Sequence, residues 1–436
     1  MTKFTPTLSK LILRCILMLT LLAGFGTGAA FAQTRGYVTN SRDNTVSVID
    51  TATASVIATM PVGSSPSKVA VTPNGRFAYV VNQFTNNVSV ISTASNTVVA
   101  TVPVGLAPSG LAITPNGAFA YVSSIASGNI SVIDTATNTV VTTIPAISPF
   151  MLAIAPSGNL GYITHGATFN GVDVINTATN TVFTNIPIPV DVTIAAAVTP
   201  NAAFVYVTCL SFTTGPKLAV IDTATNSLVT LVPLPATFPP AVAITPNGAF
   251  AYVANNGGGI CCVPPGPSSV SVIDTSSNTQ IASVPVGSPT AIGVTPDGTF
   301  VYSVDGLANN VAVISTATNT VVTTVPVGIF PQSIAFGTLQ PEPPPEPEPD
   351  PLDSLFTQVQ ALITGGTVTQ DQGAGLMDKL GQIKAKIDAG QTGSACNQSD
   401  AFINQVNALL NNGSLTPSQA LGLIDTANAL KTKLGC

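Results

Sequence analysis

A mainly β fold, a seven-bladed β-propeller followed by a small α-helical bundle, is the architecture this sequence predicts, and three observations carry the prediction. The run V-S-V-I-D-T-A-T at residues 46–53 recurs along the chain. The position after V-I falls at Asp50, Ser92, Asp134, Asn176, Asp222, Asp274 and Ser315, in steps of 42, 42, 42, 46, 52 and 41 residues. Self-similarity at such a period marks a repeat architecture. A second motif, the turn T-P-N-G and its variants around Pro73, Pro115, Pro156, Pro200, Pro246 and Pro296, occurs six times rather than seven. Finally, the texture changes from β-branched to helical beyond a Pro/Glu-rich stretch at residues 340–351.

In chain order, residues 1–32 read as a secretory signal. Lys3, Lys10 and Arg14 make a positive start, residues 15–24 an apolar core, and Ala30-Phe31-Ala32 a small-x-small site with cleavage expected before Gln33. Export to the periplasm, cell surface or medium is the expectation. Mean hydropathy is +0.46, but the apolar residues beyond the start alternate or come in short runs, so no membrane span is expected.

Each repeat divides into four short strands. In the unit at residues 66–105 the first strand centres on residues 67–72 and the second on 77–82. The third covers 88–91 and the fourth 97–102, with Pro73-Asn74-Gly75 and residues 92–96 as turns. Four β-branched strands punctuated by Asn, Gly and Pro make one antiparallel meander, the blade of a propeller. The missing seventh T-P-N-G explains itself if the ring closes through both chain ends. A second strand at residues 36–40 then joins a first strand at 331–336, which also hides an otherwise open edge. In the first strands one parity carries Ala70, Ala112, Ala153, Ala197, Ala243, Gly293 and Ala335, and the other larger residues such as Val71 and Ile113. A small face opposite a large one suits blades stacked radially. The tyrosines at 37, 79, 121, 162, 206, 252 and 302 belong to that packing.

These residues carry a resemblance. Y-V-T-N at residues 37–40, with V-S-V-I-D-T-A-T, P-V-G and T-P-N-G, resembles the YVTN-repeat β-propeller family over residues 36–336. The resemblance implies an exported or surface-layer protein. Related propellers include lactonases, redox-enzyme domains and a periplasmic DNA-binding protein, so fold alone does not carry function.

The stretch Q-P-E-P-P-P-E-P-E-P-D-P at 340–351 is a semi-rigid spacer of roughly 35 Å, at about 3.1 Å per residue. After it, residues 352–436 show four stripes at helical spacing: Leu352, Leu355, Phe356, Val359 and Leu362; Leu376, Leu380, Ile383 and Ile387; Phe402, Ile403, Val406, Leu409 and Leu410; and Leu421, Ile424, Ala427 and Leu430. Thr416-Pro417-Ser418-Gln419 and Thr369–Gln372 read as capping boxes. The bundle resembles the FIMAH module through A-F-I-N-Q-V-N-A-L at 401–409 and G-S-L-T-P-S-Q-A at 413–420, although Asn404-Gln405 departs from the namesake motif. That resemblance implies attachment. The expected domains are thus 1–32 signal, 33–339 propeller, 340–351 linker and 352–436 helical module.

The exported part holds five cysteines. Cys396 opens the third helix and Cys436 closes the fourth, and a disulfide between them is expected, since export permits one. Cys209 is placed with Cys261 and Cys262 in rim loops of adjacent blades. A bond from Cys209 to one of the pair and a vicinal Cys261–Cys262 bond are both open.

Composition excludes some functions. Residues 33–339 contain no Glu, nine Asp and five Lys or Arg, which cannot form a basic strip along nucleic acid. No G-x-S-x-G, H-E-x-x-H, C-x-x-C or P-loop is present. The anchor acids at 50, 134, 222 and 274 share their positions with Ser92, Asn176 and Ser315, so they read as turn caps. The single His165 stands where other blades carry Asn40, Asn82 and Asn255. Asp173 stands where they carry Ser47, Ser89, Ala219 or Ala312, and is expected to face a neighbouring blade. No catalytic or metal-binding set is expected and no cofactor. Candidate ligand contacts cluster where first strands begin, at the channel mouth: Lys68, Phe150, Met151, Phe238, Phe330 and Gln332. The three phenylalanines serve equally well as a channel plug. The functional expectation is a monomeric, non-catalytic scaffold for an extracellular or envelope protein or polymer. A propeller enzyme of lactonase or redox type and a single-stranded DNA binder are the alternatives.

Overall fold

The computed structural model describes residues 33–166, 171–235, 238–258, 266–339 and 350–436. Residues 1–32, on which the expected signal falls, Cys261 and Cys262, and residues 340–349 lie outside the described residues. Two compact units result, one ending at Pro341 and one beginning at Glu342.

The first unit holds seven four-stranded antiparallel sheets, built from strands numbered β1 to β28 in chain order. Six are simple meanders. The first comprises β4 (Pro66–Val71), β5 (Phe77–Asn82), β6 (Asn87–Ser92) and β7 (Thr97–Pro103). The remaining blade, counted as the first in chain order, joins both ends of the unit. In it β1 (Thr34–Asn40) lies between β2 (Thr45–Asp50) and β28 (Pro331–Thr338), with Gly36 opposite Phe336 and Tyr37 opposite Ala335. This is the closure that the six-versus-seven motif count predicts.

Local chemistry explains why the chain turns where it does. In the turn after β4, Thr72 Oγ1 donates to Asn74 Oδ1 (2.7 Å) and accepts from the Phe77 amide (3.1 Å), while Gly75 supplies a φ of 71°. The anchor position caps the turn between third and fourth strands. Asp50 Oδ1 accepts from the Ala52 amide, Asp134 from Ala136 and Thr137, Asn176 from Ala178 and Thr179, and Asp274 from Ser276 and Ser277. An Asp or Asn serves equally, because only a short side-chain oxygen is required.

Blades join through the tyrosine column, whose seven members are all fully buried. Tyr79 donates to Asn138 Oδ1 (2.6 Å), Tyr121 to Asn180 (2.7 Å), Tyr206 to Asn278 (2.6 Å) and Tyr252 to Asn319 (2.9 Å). Each bond runs to the left-handed Asn ending the capped turn of the next blade (φ 52–55° in these four). Burial pushes the Tyr79 and Tyr206 hydroxyls up to about 12, so they remain donors. Ala54 holds the left-handed position in the closing blade, and Tyr302, which precedes it around the ring, makes no such bond.

The second unit is four helices, α1 (Pro351–Thr364), α2 (Gln370–Asp388), α3 (Thr392–Asn411) and α4 (Pro417–Leu434). Both capping boxes are present, at Thr369/Gln372 and Thr416/Gln419. Phe402, Leu355, Val359, Leu376, Leu380 and Ile383 sit in one core with no exposed surface. The α4 stripe differs from the sequence reading: Ala420, Leu423, Ala427 and Leu430 face inward while Leu421 is 58% exposed. Helix spacing alone allowed either of two neighbouring stripes, and the packing partner selects one. Cys396 and Cys436 form a disulfide, Cα atoms 6.0 Å apart.

Candidate functional site

The two faces of the propeller differ in chemistry. The T-P-N-G turns and the capped third-to-fourth turns open on one face. Loops from second to third strands, and those leading to the next blade, open on the other. That second face carries Phe84, Leu106, Ile147, Phe212, Leu307 and Ile329, between 48 and 74% exposed. Among the described residues the turn face carries no exposed large apolar side chain. The remaining ones in this unit, such as Val99 and Phe183, lie on the outermost strands at the circumference.

The six channel-mouth candidates start from the apolar face but do not converge. Lys68 and Met151 line a cavity of about 130 Å³ whose walls come from the innermost strands of all seven blades. Phe150 and Phe238 pack instead against the apolar cluster containing Ile194, Leu210 and Val242. Phe330, in a left-handed conformation before β28, lies under the Arg42 guanidinium at 4.5 Å. Gln332 is half-buried and its amide donates to the Pro331 carbonyl (3.4 Å). The phenylalanines therefore do not line the axial cavity: two pack as inter-blade core and one braces the closing loop.

His165 and Asp173 do meet. His165 ends β13 (Leu160–His165) and is fully buried; Asp173 lies on the adjacent β14 (Val172–Asn176). His165 Nδ1 donates to the Ile147 carbonyl (2.7 Å), and Nε2 lies 3.4 Å from Asp173 Oδ2. Asp173 Oδ1 accepts from Asn185 (2.8 Å). Burial by itself pushes the Asp173 carboxyl up, but hydrogen bonds from His165 and Asn185 outweigh it and hold the group below its ordinary value. Asp173 thus bonds within its own blade and not to a neighbour, because its strand pairs directly with His165's.

The same two positions are bonded in other blades. Asn40 donates to Ser47 (2.9 Å), Asn82 to Ser89 (2.9 Å) and Asn255 to Ser271 (2.8 Å). His165–Asp173 is the fourth blade's version of this bond. The fifth blade replaces it with Cys209 and Ala219, both buried. Cys209 is therefore not in a rim loop: it lies within β17 (Phe204–Leu210), where burial pushes its thiol up to about 12. The loop-length change after this strand concealed the register. Aligning columns 165 and 173 with Asn82 and Ser89 is the sequence signal that identifies the pair.

The other carboxylates hold backbone. Asp305 accepts from Leu307 and Ala308, Asp191 from Phe212, Asp43 from Ile329, Asp222 from Thr225 and Asp297 from Thr299. Among the described residues no three His, Cys, Asp or Glu side chains converge as metal ligands, and no helix is long and apolar enough to cross a membrane.

Residues 32–143 match the family described as lactonase, 7-bladed beta-propeller. No curated protein matches the chain. Among solved structures, Kuenenia stuttgartiensis hydrazine synthase is similar at 25% identity and a TM-score of 0.58, covering 64% of this chain and 92% of that one. A functionally unknown protein from Desulfotomaculum acetoxidans aligns at 18% identity and 0.60, over 71% and 99%. Dihydro-heme d1 dehydrogenase NirN in complex with DHE aligns at 14% identity and 0.51, over 69% and 74%. The last two likenesses are of fold.

Proposed function

We propose that the protein is an exported, non-catalytic binding scaffold of the YVTN-repeat type. Its propeller recognises an extracellular protein or polymer, and its helical module, similar to FIMAH, serves attachment. The asymmetry of the two faces carries this reading. Among the described residues six large apolar side chains stand exposed on the loop face and none on the turn face, and apolar surface concentrated on one side of a scaffold marks an interaction site. Loops on a rigid frame are also where recognition usually resides. The engagement of all nine propeller carboxylates in capping or cross-strand bonds leaves few groups for chemistry. The disulfide is compatible with export.

A propeller enzyme of lactonase or redox type is the second reading, favoured by the family match over residues 32–143 and by the similarity to hydrazine synthase. His165 and Asp173 are the residues that would serve it. The test uses the full exported chain, presented to envelope and culture fractions with chemical crosslinking, alongside a panel of five- and six-membered lactones. The scaffold reading expects crosslinked partners that disappear in Phe84→Ser/Leu307→Ser, with an unchanged melting temperature and no lactone turnover above buffer. Turnover abolished by His165→Ala would move the protein to the enzymes. Crosslinking indifferent to the loop-face change would remove recognition from that face.

A further inference from the structure

The axial cavity contains an arrangement that neither face recognition nor lactone chemistry uses. Register places one residue of each innermost strand at the same level around the axis. Lys68 of β4 is opposite Val81 as Gly110 is opposite Ser123, Ala195 opposite Thr208, Ala241 opposite Ala254, Ala291 opposite Val304 and Ser333 opposite Thr39. Met151 completes the ring beside Leu152. Five of the seven are Gly, Ala or Met. The two polar members, Lys68 and Ser333, sit on adjacent blades, and both line the cavity. The innermost strands are also the inner edges of their sheets, and edge strands leave both backbone N–H and C=O groups unpaired.

Lys68 has no ion pair or side-chain hydrogen bond among the described residues, and neither has the Ser333 hydroxyl. No other titratable side chain lines the cavity. Lys68 is half-buried, and an ammonium drawn part-way out of water with no charged partner is stabilised by an anion beside it. The cavity's 130 Å³ corresponds to about four waters at ~30 Å³ each, room for a compact anion. We infer that this axial cavity binds one small carboxylate or phosphate-type oxyanion, with Lys68 Nζ as its counter-charge and Ser333 Oγ as a hydrogen-bond donor. Burial lowers the Lys68 ammonium to about 8, so it still carries its proton at neutral pH.

Calorimetric titration of the full exported chain with acetate and with inorganic phosphate, at constant ionic strength, tests this. Millimolar affinity near pH 7 is expected, weakened at least tenfold by Lys68→Met and severalfold by Ser333→Ala. Methionine already occupies the equivalent position of the fourth blade, so Lys68→Met keeps the fold, which its melting temperature verifies. In the wild type, affinity falls by roughly thirtyfold at about pH 9.5 as the lysine gives up its proton. A peptide ending in a free carboxylate, compared with its amide, tells whether the anion can be the end of a longer chain or must be free. Equal affinity in Lys68→Met, or heat from neither anion in the wild type, overturns the assignment.

Discussion

Cys436→Ser lowers the stability of the helical unit by about 4 kcal/mol, the loop-closure entropy released when residues 40 apart in sequence are no longer tied. At roughly 0.05–0.15 kcal/mol per residue a unit of this size has only several kcal/mol of net stability, so a large part of it is lost. Thermal unfolding of the full chain followed at a helical circular-dichroism wavelength is the measurement. The helical transition moves to much lower temperature in the variant, and reducing agent does the same to the wild type. The propeller transition stays where it was, because no strand depends on that bond. A helical transition unmoved by either treatment would mean that the packing of Phe402, Leu376 and Leu380 suffices without the tie.

The second large effect concerns the fourth blade. His165→Ala destabilises the propeller by roughly 3 kcal/mol, since it removes one partner of a buried polar pair and leaves a carboxylate at 8% exposure short of a donor. Asp173→Ala acts in the same direction. The double change His165→Asn/Asp173→Ser installs the bond that Asn82 and Ser89 make at 2.9 Å in the second blade, and returns stability to within about 1 kcal/mol of the wild type. Denaturant unfolding of the four proteins measures this. The sign with pH follows from Asp173. Its carboxyl lies below its ordinary value when folded, so its contribution is full above the unfolded value of about 4 and is lost as pH falls through the lower folded value. The gap between wild type and His165→Ala therefore narrows in acid. If the double variant is as unstable as either single one, the pair is not a form of the repeat's own bond, and a functional reason for the histidine gains weight.

Much of this molecule was legible from neighbouring residues. Strand alternation, the Thr-Pro-Asn-Gly turns, the capped anchors and the two capping boxes each depend on side chains within five positions of one another, so the order of letters specifies them. The ring closure was legible too, from one motif falling short by one copy. The disulfide followed from two cysteines at the ends of elements that must lie side by side.

Other features depended on distance around the ring. The tyrosine and asparagine columns were both visible as repeats, yet that Tyr79 reaches Asn138, 59 residues on, is set by how one blade lies on the next. Cys209 and Leu421 were misplaced because a longer loop hides strand register and because helix spacing admits more than one inward stripe. Lys68 read as one of six mouth residues; only the radial stacking of seven blades separates it and Met151 from Phe150 and Phe238, turning two toward the axis and two into the core. The sequence by itself determined the blades, because hydrogen bonds within a meander are local. The tertiary structure decided what faces the axis, the neighbouring blade and the solvent, because those directions exist only once the ring is closed.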